Sequence, residues 1–346
     1  MRRLSRSLAF LVIPRYRLRM ASDSSKEHAV FKSVANEKGE FVRKPSSFRN
    51  FVTADGSSGF PAEPDRYHLY VSLACPWAHR TLIYRKLKGL EAVLPVTVVD
   101  WLLLDNGWEF TDKKPKCQLD PLYGFRYMKE LYFKAEPTYG GRYTVPVLWD
   151  KKKETVCNNE SAEIIRMFNT EFNKFCATPE QKALDLYPTE LRQKIDDHNS
   201  WIYDLVNNGV YKCGFASTQA AYDKNVVPLF GALDRLEEIL KSNRFLCGDR
   251  LTEADVRLFT TLVRFDMVYV GHFKCNKKRI VDYPNLWGYT RDVYQFCGIG
   301  DTVDRQHIEH HYQESHTHLN PRGITAIGPD LDFTAPHGRE KLSKQS

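Results

Sequence analysis

The spacing of apolar positions changes near the middle of the chain. Between residues 66 and 158 they fall in short runs, and beyond residue 180 they recur at helical intervals. Arg66–Ala74 (RYHLYVSLA) is a β-branched and aromatic run that predicts a strand. Pro76 then stands where a helix could begin, and Ile83, Leu87 and Leu90 recur three to four apart, which predicts a helix over Trp77–Leu90. Val93–Leu104 predicts a second buried strand, so the three elements read as a βαβ unit with a parallel pair. Residues 105–142 form a long aromatic and charged insertion with one short helix near Tyr127–Phe133. Strand patterns return at Tyr143–Trp149 and Glu154–Cys157, followed by a helix from Ser161 to Asn169. Pro146 is awkward inside a central strand because it cannot donate to the ladder. A cis-proline at a strand start, or an edge position, would resolve it.

After Pro179 the pattern is helical: Leu184–Val206, Tyr222–Leu240, Thr252–Val270, Tyr283–Phe296 and about Asp304–Ser315. Thr252 and Asp255 resemble a capping box ahead of the apolar face Val256, Phe259, Leu262 and Val263. The expected architecture is therefore an α/β thioredoxin-like domain over residues 66–175 and an all-α domain over 180–320. A polar, irregular lead-in (21–65) precedes them, and a wrapped or loose tail (321–346) follows.

Composition adds one qualification. The chain of 346 residues has the hydrophobic and charged fractions of a soluble globular protein, with a formal charge of +7. Residues 1–20 carry six arginines and no acid, whereas from Ala21 onward 44 basic residues face 43 acidic ones. The excess charge thus belongs to an arm, and the body has no basic imbalance that would predict nucleic-acid binding. The arm reads as an organellar transit peptide or as a basic tail, and a start at Met20 would give a cytoplasmic form. No apolar run is long enough to span a membrane. Eight cysteines without any Cys-x-x-Cys pair exclude a zinc ribbon and make a disulfide-stapled fold a poor reading.

Cys75 is the candidate centre of the chemistry. A cysteine between a strand and a helix that opens with proline has its sulfur near unpaired helix N–H groups, which favour the thiolate nucleophile. A dithiol oxidoreductase would carry its resolving cysteine three residues on, but this chain has Ala78. A mixed disulfide at Cys75 would need an external thiol to resolve it. The alternative is a buried packing thiol.

The segment RYHLYVSLACPWAHR (Arg66–Arg80) resembles the active-site segment of the glutathionyl-hydroquinone reductases, the Xi-class glutathione transferases. The likeness extends through Asn158–Ser161, FLCGDRLTEAD (Phe245–Asp255), RFDMVYVGHFKCN (Arg264–Asn276) and HHYQESHTHLNP (His310–Pro321). It implies the glutathione transferase fold, a homodimer, and glutathione as co-substrate for reducing glutathionylated quinones, with no metal. Cys75 would be the nucleophile and Tyr211 the proton donor or acceptor, while the hydroxyls of Tyr269 and Tyr312 would stabilise the thiolate. Glutathione would contact Trp108, Arg142, Tyr143, Thr144, Val145, Glu160 and Ser161. Each of these has an ordinary packing or surface alternative. His307, His310 and His311 lie at helical spacing, with His316 and His318 beyond, but no third ligand is fixed by spacing and structural histidines are the expectation. Two rival functions follow from the same residues. One is an omega-like dehydroascorbate reductase or protein deglutathionylase, and the other is a non-catalytic transferase-like assembly module.

Overall fold

Every side chain from Tyr67 to Val71 is buried, which places this run at the middle of a sheet. In a computed structural model of the chain, residues 35–343 are described; the Arg-rich arm and the first part of the lead-in lie outside them. Strand β1 (Tyr67–Val71) leads into helix α1 (Pro76–Leu87) and strand β2 (Val96–Val98). A short hairpin, β3 (Leu103–Leu104) and β4 (Gly107–Trp108), helix α2 (Met128–Ala135), strands β5 (Val147–Asp150) and β6 (Thr155–Asn158), and helix α3 (Ser161–Thr170) complete this half. The sheet order is β2-β1-β5-β6. β1 and β2 are parallel, as the βαβ reading requires, with Leu69 opposite Val96. β5 runs antiparallel to both β1 and β6.

Two strands are shorter than their apolar runs suggest. The run Val93–Leu104 gives only Val96–Val98 to the sheet. At Asp100 the chain turns away: its N–H donates to Glu109 O, and its carboxylate accepts from Leu102 N–H at 2.9 Å and Lys114 Nζ at 2.7 Å. In Tyr143–Trp149, only Val147 onward pairs. The Val145–Pro146 bond is cis and lies just before β5, so of the two resolutions offered for Pro146 the structure takes the first.

The helical half contains α4 (Pro179–Ala183), α5 (Arg192–Ile202), α6 (Gly209–Gly214), α7 (Gln219–Ser242), α8 (Glu253–Arg264), α9 (Pro284–Gln295) and α10 (Arg305–Ser315). The helix expected from Leu184 begins only at Arg192, behind Pro188 and a tight turn at Thr189–Leu191. It then passes through a wide π-type turn, Tyr203–Asn207, into α6. Such a turn also extends α8 through Phe265–Tyr269. These insertions rotate the side chains that follow them, and beyond the first of them Tyr211 reaches the cleft described below.

The described parts of the lead-in and of the tail pack against the body. Asn50 N–H donates to Cys157 O at 3.0 Å and Phe48 N–H to Asn159 Oδ1 at 3.1 Å, so residues 48–50 line the β6 edge. In the tail, Phe333 stacks on Tyr294, and Arg339 Nη2 donates to Leu240 O at 2.9 Å and Arg244 O at 3.0 Å. Among the described residues, no helix is long and apolar enough to cross a membrane.

Asp255 ties the helical half together. Its Oδ2 accepts from the N–H and hydroxyl of Thr252, both at 2.8 Å, closing the cap that the sequence predicts. Its Oδ1 accepts from Leu246 N–H at 2.8 Å and from the Tyr289 hydroxyl of α9 at 2.9 Å. Asp255→Ala removes the carboxylate acceptor from all four buried donors and should lower the unfolding free energy by about 3 kcal/mol in urea titration, with Asp255→Asn losing less because it keeps one acceptor.

Candidate active site

β1 ends at Val71, and Cys75 N–H closes a tight turn onto Ser72 O at 3.1 Å. Pro76 fills the first helical position, which leaves Cys75 as the N-cap of α1. Its sulfur accepts from Ala78 N–H at 3.5 Å, and its S–H points to Val145 O at 3.6 Å. The helix start was expected to hold the thiol low. Burial is the larger effect, however, and pushes the thiol up. The N–H groups of Ala78 and Trp77 and the guanidinium groups of Arg264 and Arg43 pull in the opposite direction.

Cys75 stands in a cleft of about 580 Å³ between the two halves. Eight more of the expected residues line it: Trp108, Arg142, Tyr143, Thr144, Val145, Glu160, Ser161 and Tyr211. Trp108 comes from β4 and stacks on His311 of α10 with ring centres 5.1 Å apart. The 142–145 turn is held from behind. Tyr132 of α2 donates its hydroxyl to Thr144 O at 2.8 Å and accepts from Asn159 Nδ2 at 3.1 Å. Glu160 is the N-cap of α3, with Oε1 accepting from Ala162 N–H at 3.1 Å and Oε2 from the Ser46 hydroxyl at 3.0 Å. Ser161, the first residue of α3, receives Arg80 Nη1 at 3.4 Å. Burial and the neighbouring Arg43 both lower the pKa of Arg142. Among the described residues no ion pair joins a carboxylate to Arg142 or Arg43, and both guanidinium groups line the cleft together with Asp105 and Glu160.

Tyr269 and Tyr312 do not line the cleft. They lie behind Tyr211, fully buried, with the Tyr312 hydroxyl 2.6 Å from that of Tyr211 and 2.9 Å from that of Tyr269. The expected contact with the Cys75 sulfur is thus replaced by a row of three phenols. Burial and the adjacent Cys75 raise Tyr211 to about 12, and the bonds from Tyr312 and Tyr269 oppose that rise. Burial pushes Tyr269 and Tyr312 well above the ordinary range.

Sequence reasoning assigned no site role to residues 41–47. Phe41, Arg43, Ser46 and Ser47 line the cleft, and Arg43 lies over the Trp77 ring at 4.1 Å. This polar strap has no periodicity that could have marked it. The histidines are engaged in packing and hydrogen bonds. His311 Nδ1 donates to Trp101 O at 2.6 Å, His307 Nε2 to Pro115 O at 2.8 Å, and His316 Nδ1 lies 2.9 Å from His272 Nε2. Among the described residues, no group of three His, Cys, Asp or Glu side chains is arranged to hold a metal.

A thioredoxin-like half with a capping cysteine opposite a cis-proline, followed by an all-α half, is the architecture of a glutathione transferase. Residues 74–171 match the family model for the glutathione S-transferase N-terminal domain, and residues 219–292 match that for the C-terminal domain. The chain is 57% identical over 319 residues to glutathionyl-hydroquinone reductase YqjG of Escherichia coli (strain K12), covering 90% of this chain and 96% of that protein. It is 48% identical over 291 residues to glutathionyl-hydroquinone reductase PcpF of Sphingobium chlorophenolicum, covering 84% and 90% respectively. Among solved structures it is similar to glutathione-bound YqjG, with a TM-score of 0.82 at 58% identity over 85% of this chain and 96% of that one. It is also similar to the Xi transferase of Phanerochaete chrysosporium, with a TM-score of 0.84 at 54% identity over 87% and 96%. The chain belongs to the glutathionyl-hydroquinone reductase family, the Xi-class glutathione transferases.

The Tyr132 bond to Thr144 O gives a direct test of how the 142–145 turn is held. Tyr132→Phe should cost about 1 kcal/mol of unfolding free energy and speed amide hydrogen exchange in the 142–145 turn.

Proposed function

We infer that this enzyme reduces S-glutathionyl-hydroquinones to free hydroquinones at the expense of glutathione. The observation that carries the reading is a single nucleophilic cysteine, with Ala78 in the resolving position, sharing a cleft with a phenol that keeps its proton at neutral pH. The Cys75 thiolate attacks the sulfur of the aryl thioether. An S–S bond forms, the aryl C–S bond breaks, and the ring carbon takes the departing electron pair together with one proton. A second glutathione thiolate then attacks the glutathione sulfur of the mixed disulfide, releasing oxidised glutathione and regenerating the Cys75 thiolate. Two electrons pass from the pair of sulfurs to the ring carbon, and no further reductant is needed.

The lining residues fit the tripeptide. Val145 offers its backbone to the cysteinyl part in strand fashion. Glu160 is positioned to accept from the glutamyl amine, and Ser161 at the start of α3 to bind the glutamyl carboxylate. Arg142 meets a carboxylate, and Trp108 covers the peptide. On the other wall, Tyr211 with Phe41 and Phe215 offers aromatic surface to the hydroquinone ring. Tyr211 supplies the ring proton. Tyr312, hydrogen-bonded to both other hydroxyls, then donates to the Tyr211 phenolate while Tyr269 donates to Tyr312, so the buried pair serves the proton donor. A homodimer and a mitochondrial or cytoplasmic location complete this reading, with residues 1–20 as an address separable from the chemistry.

Mass spectrometry of the products from menadione–glutathione conjugate and glutathione should show free hydroquinone and oxidised glutathione; unchanged conjugate refutes the reading. Cys75→Ser should abolish turnover. Tyr211→Phe should slow conjugate reduction about 10²–10⁴-fold while leaving reduction of a small glutathione mixed disulfide nearly intact, because that reaction protonates no carbon. With Tyr211 protonated up to about pH 12, the single-turnover rate should rise as Cys75 ionises and show no fall below about pH 10. A chain lacking residues 1–19 should retain full activity.

A further inference from the structure

Arg264, the last residue of α8, is fully buried. Its guanidinium donates from Nε to Ala74 O at 2.9 Å, from Nη2 to Leu73 O at 3.1 Å, and from Nη1 to Thr260 O at 2.8 Å. A fourth contact runs from Nη1 to His79 Nδ1 at 3.0 Å. The Thr302 hydroxyl donates to Ile299 O at 2.6 Å, so it accepts from His79 Nε2–H, 2.8 Å away. The imidazole therefore carries its proton on Nε2 and presents a bare Nδ1 to Arg264. Burial and Arg264 itself hold His79 well below its ordinary range, which keeps the ring neutral.

All four acceptors are uncharged, and among the described residues no carboxylate pairs with Arg264. Buried guanidinium groups are ordinarily matched by an anion, because an uncompensated charge away from water is costly. The two carbonyls gripped here belong to the residues immediately before Cys75. We propose that Arg264 is a positioning residue for Cys75: its buried guanidinium fixes the Leu73–Ala74 turn and supplies a permanent positive charge whose counter-ion is the Cys75 thiolate.

Among the described residues no other anion faces Arg264. Facing Arg264 are the neutral His79 of α1, Tyr269 beyond its own helix, and Tyr312 and His311 of α10. Both phenols keep their protons, and burial holds His311 down to about 4, so it too is neutral. Facing Cys75 are Arg264, the exposed Arg43 of the strap and Tyr211 of α6. Arg43 lies in water-accessible space and is screened there, whereas Arg264 is not.

The proposal rests on Cys75 being the nucleophile, and its test reads the charge on that sulfur without glutathione or hydroquinone. Full-length enzyme is alkylated with iodoacetamide across a pH series, and modification of the Cys75 peptide is followed by mass spectrometry. In Arg264→Gln the half-rise should move up by about one pH unit, roughly a tenfold loss of alkylation rate at neutral pH. Arg264→Lys keeps the charge but not the fork, and its half-rise should stay within about half a unit of the parent's. A purely structural role moves both variants alike. A shift below about half a unit in Arg264→Gln, or equal displacement of the two variants, overturns the proposal. Should thermal unfolding show that Arg264→Gln does not fold, Arg264→Lys decides alone: displacement beyond about half a unit overturns it, and less supports it. The expected upward shift in Arg264→Gln combined with unchanged conjugate in the product assay would leave Arg264's role standing and refute the reaction instead.

Discussion

The bond between Cys75 Sγ and Ala78 N–H, 3.5 Å long, is a helix cap made with the wrong atom for stability. A serine, threonine or aspartate oxygen in that place would hold the start of α1 better by roughly 1 kcal/mol, since sulfur is a weak acceptor. The helix forms regardless because ten of its twelve residues are buried and because its approach is clamped from the other half. Tertiary packing thus carries a helix start that local capping does not, which frees the cap position for a thiol.

That arrangement requires the two halves to act as one body. Arg80 of α1 reaches Asn207 Oδ1 in the wide turn after α5 at 3.1 Å and lies 4.6 Å from the centre of the Trp77 ring. At the other end of α1, Lys88 Nζ donates to Leu184 O at 2.6 Å. A single apolar cluster runs from the sheet through α1 into α8. The cleft is therefore a gap left in a continuous core, with one wall from each half, and neither half alone would present both the 142–145 turn and the phenols.

The legible parts of the sequence were those governed by local physics. Strand β1, the proline-led helix and the Cys75 cap all follow from neighbouring residues, and so does the Thr252–Asp255 cap. The apolar run Val93–Leu104 misled because burial there comes from two different packings, a sheet strand and a hairpin lying against α10, which look alike in composition. The phenol row was beyond any local reading. Tyr211, Tyr269 and Tyr312 sit on separate segments more than forty positions apart, and two of them follow or end π-type turns that no periodicity announces. The family resemblance named all three, yet it assigned the inner pair to the sulfur, whereas the structure bonds Tyr312 to Tyr211 and Tyr269 to Tyr312. The 41–47 strap fails for the opposite reason: polar, aperiodic residues carry no signal until a cleft forms beneath them.

One physical conflict runs through the site. Burial raises Tyr211 and Cys75 together, but the proposed reaction needs the phenol protonated and the thiol ionised at the same pH. A uniformly apolar cleft would satisfy the first demand and defeat the second. The structure separates them by giving each group different neighbours. Around Cys75 lie two helix N–H groups and two guanidinium groups, all of which favour an anion. Around Tyr211 lie aromatic rings and two further phenols, which stabilise a phenolate only after the proton has gone. Groups that favour an anion at the sulfur and groups that keep the phenol protonated thus line one cleft, set by which helix supplies each wall.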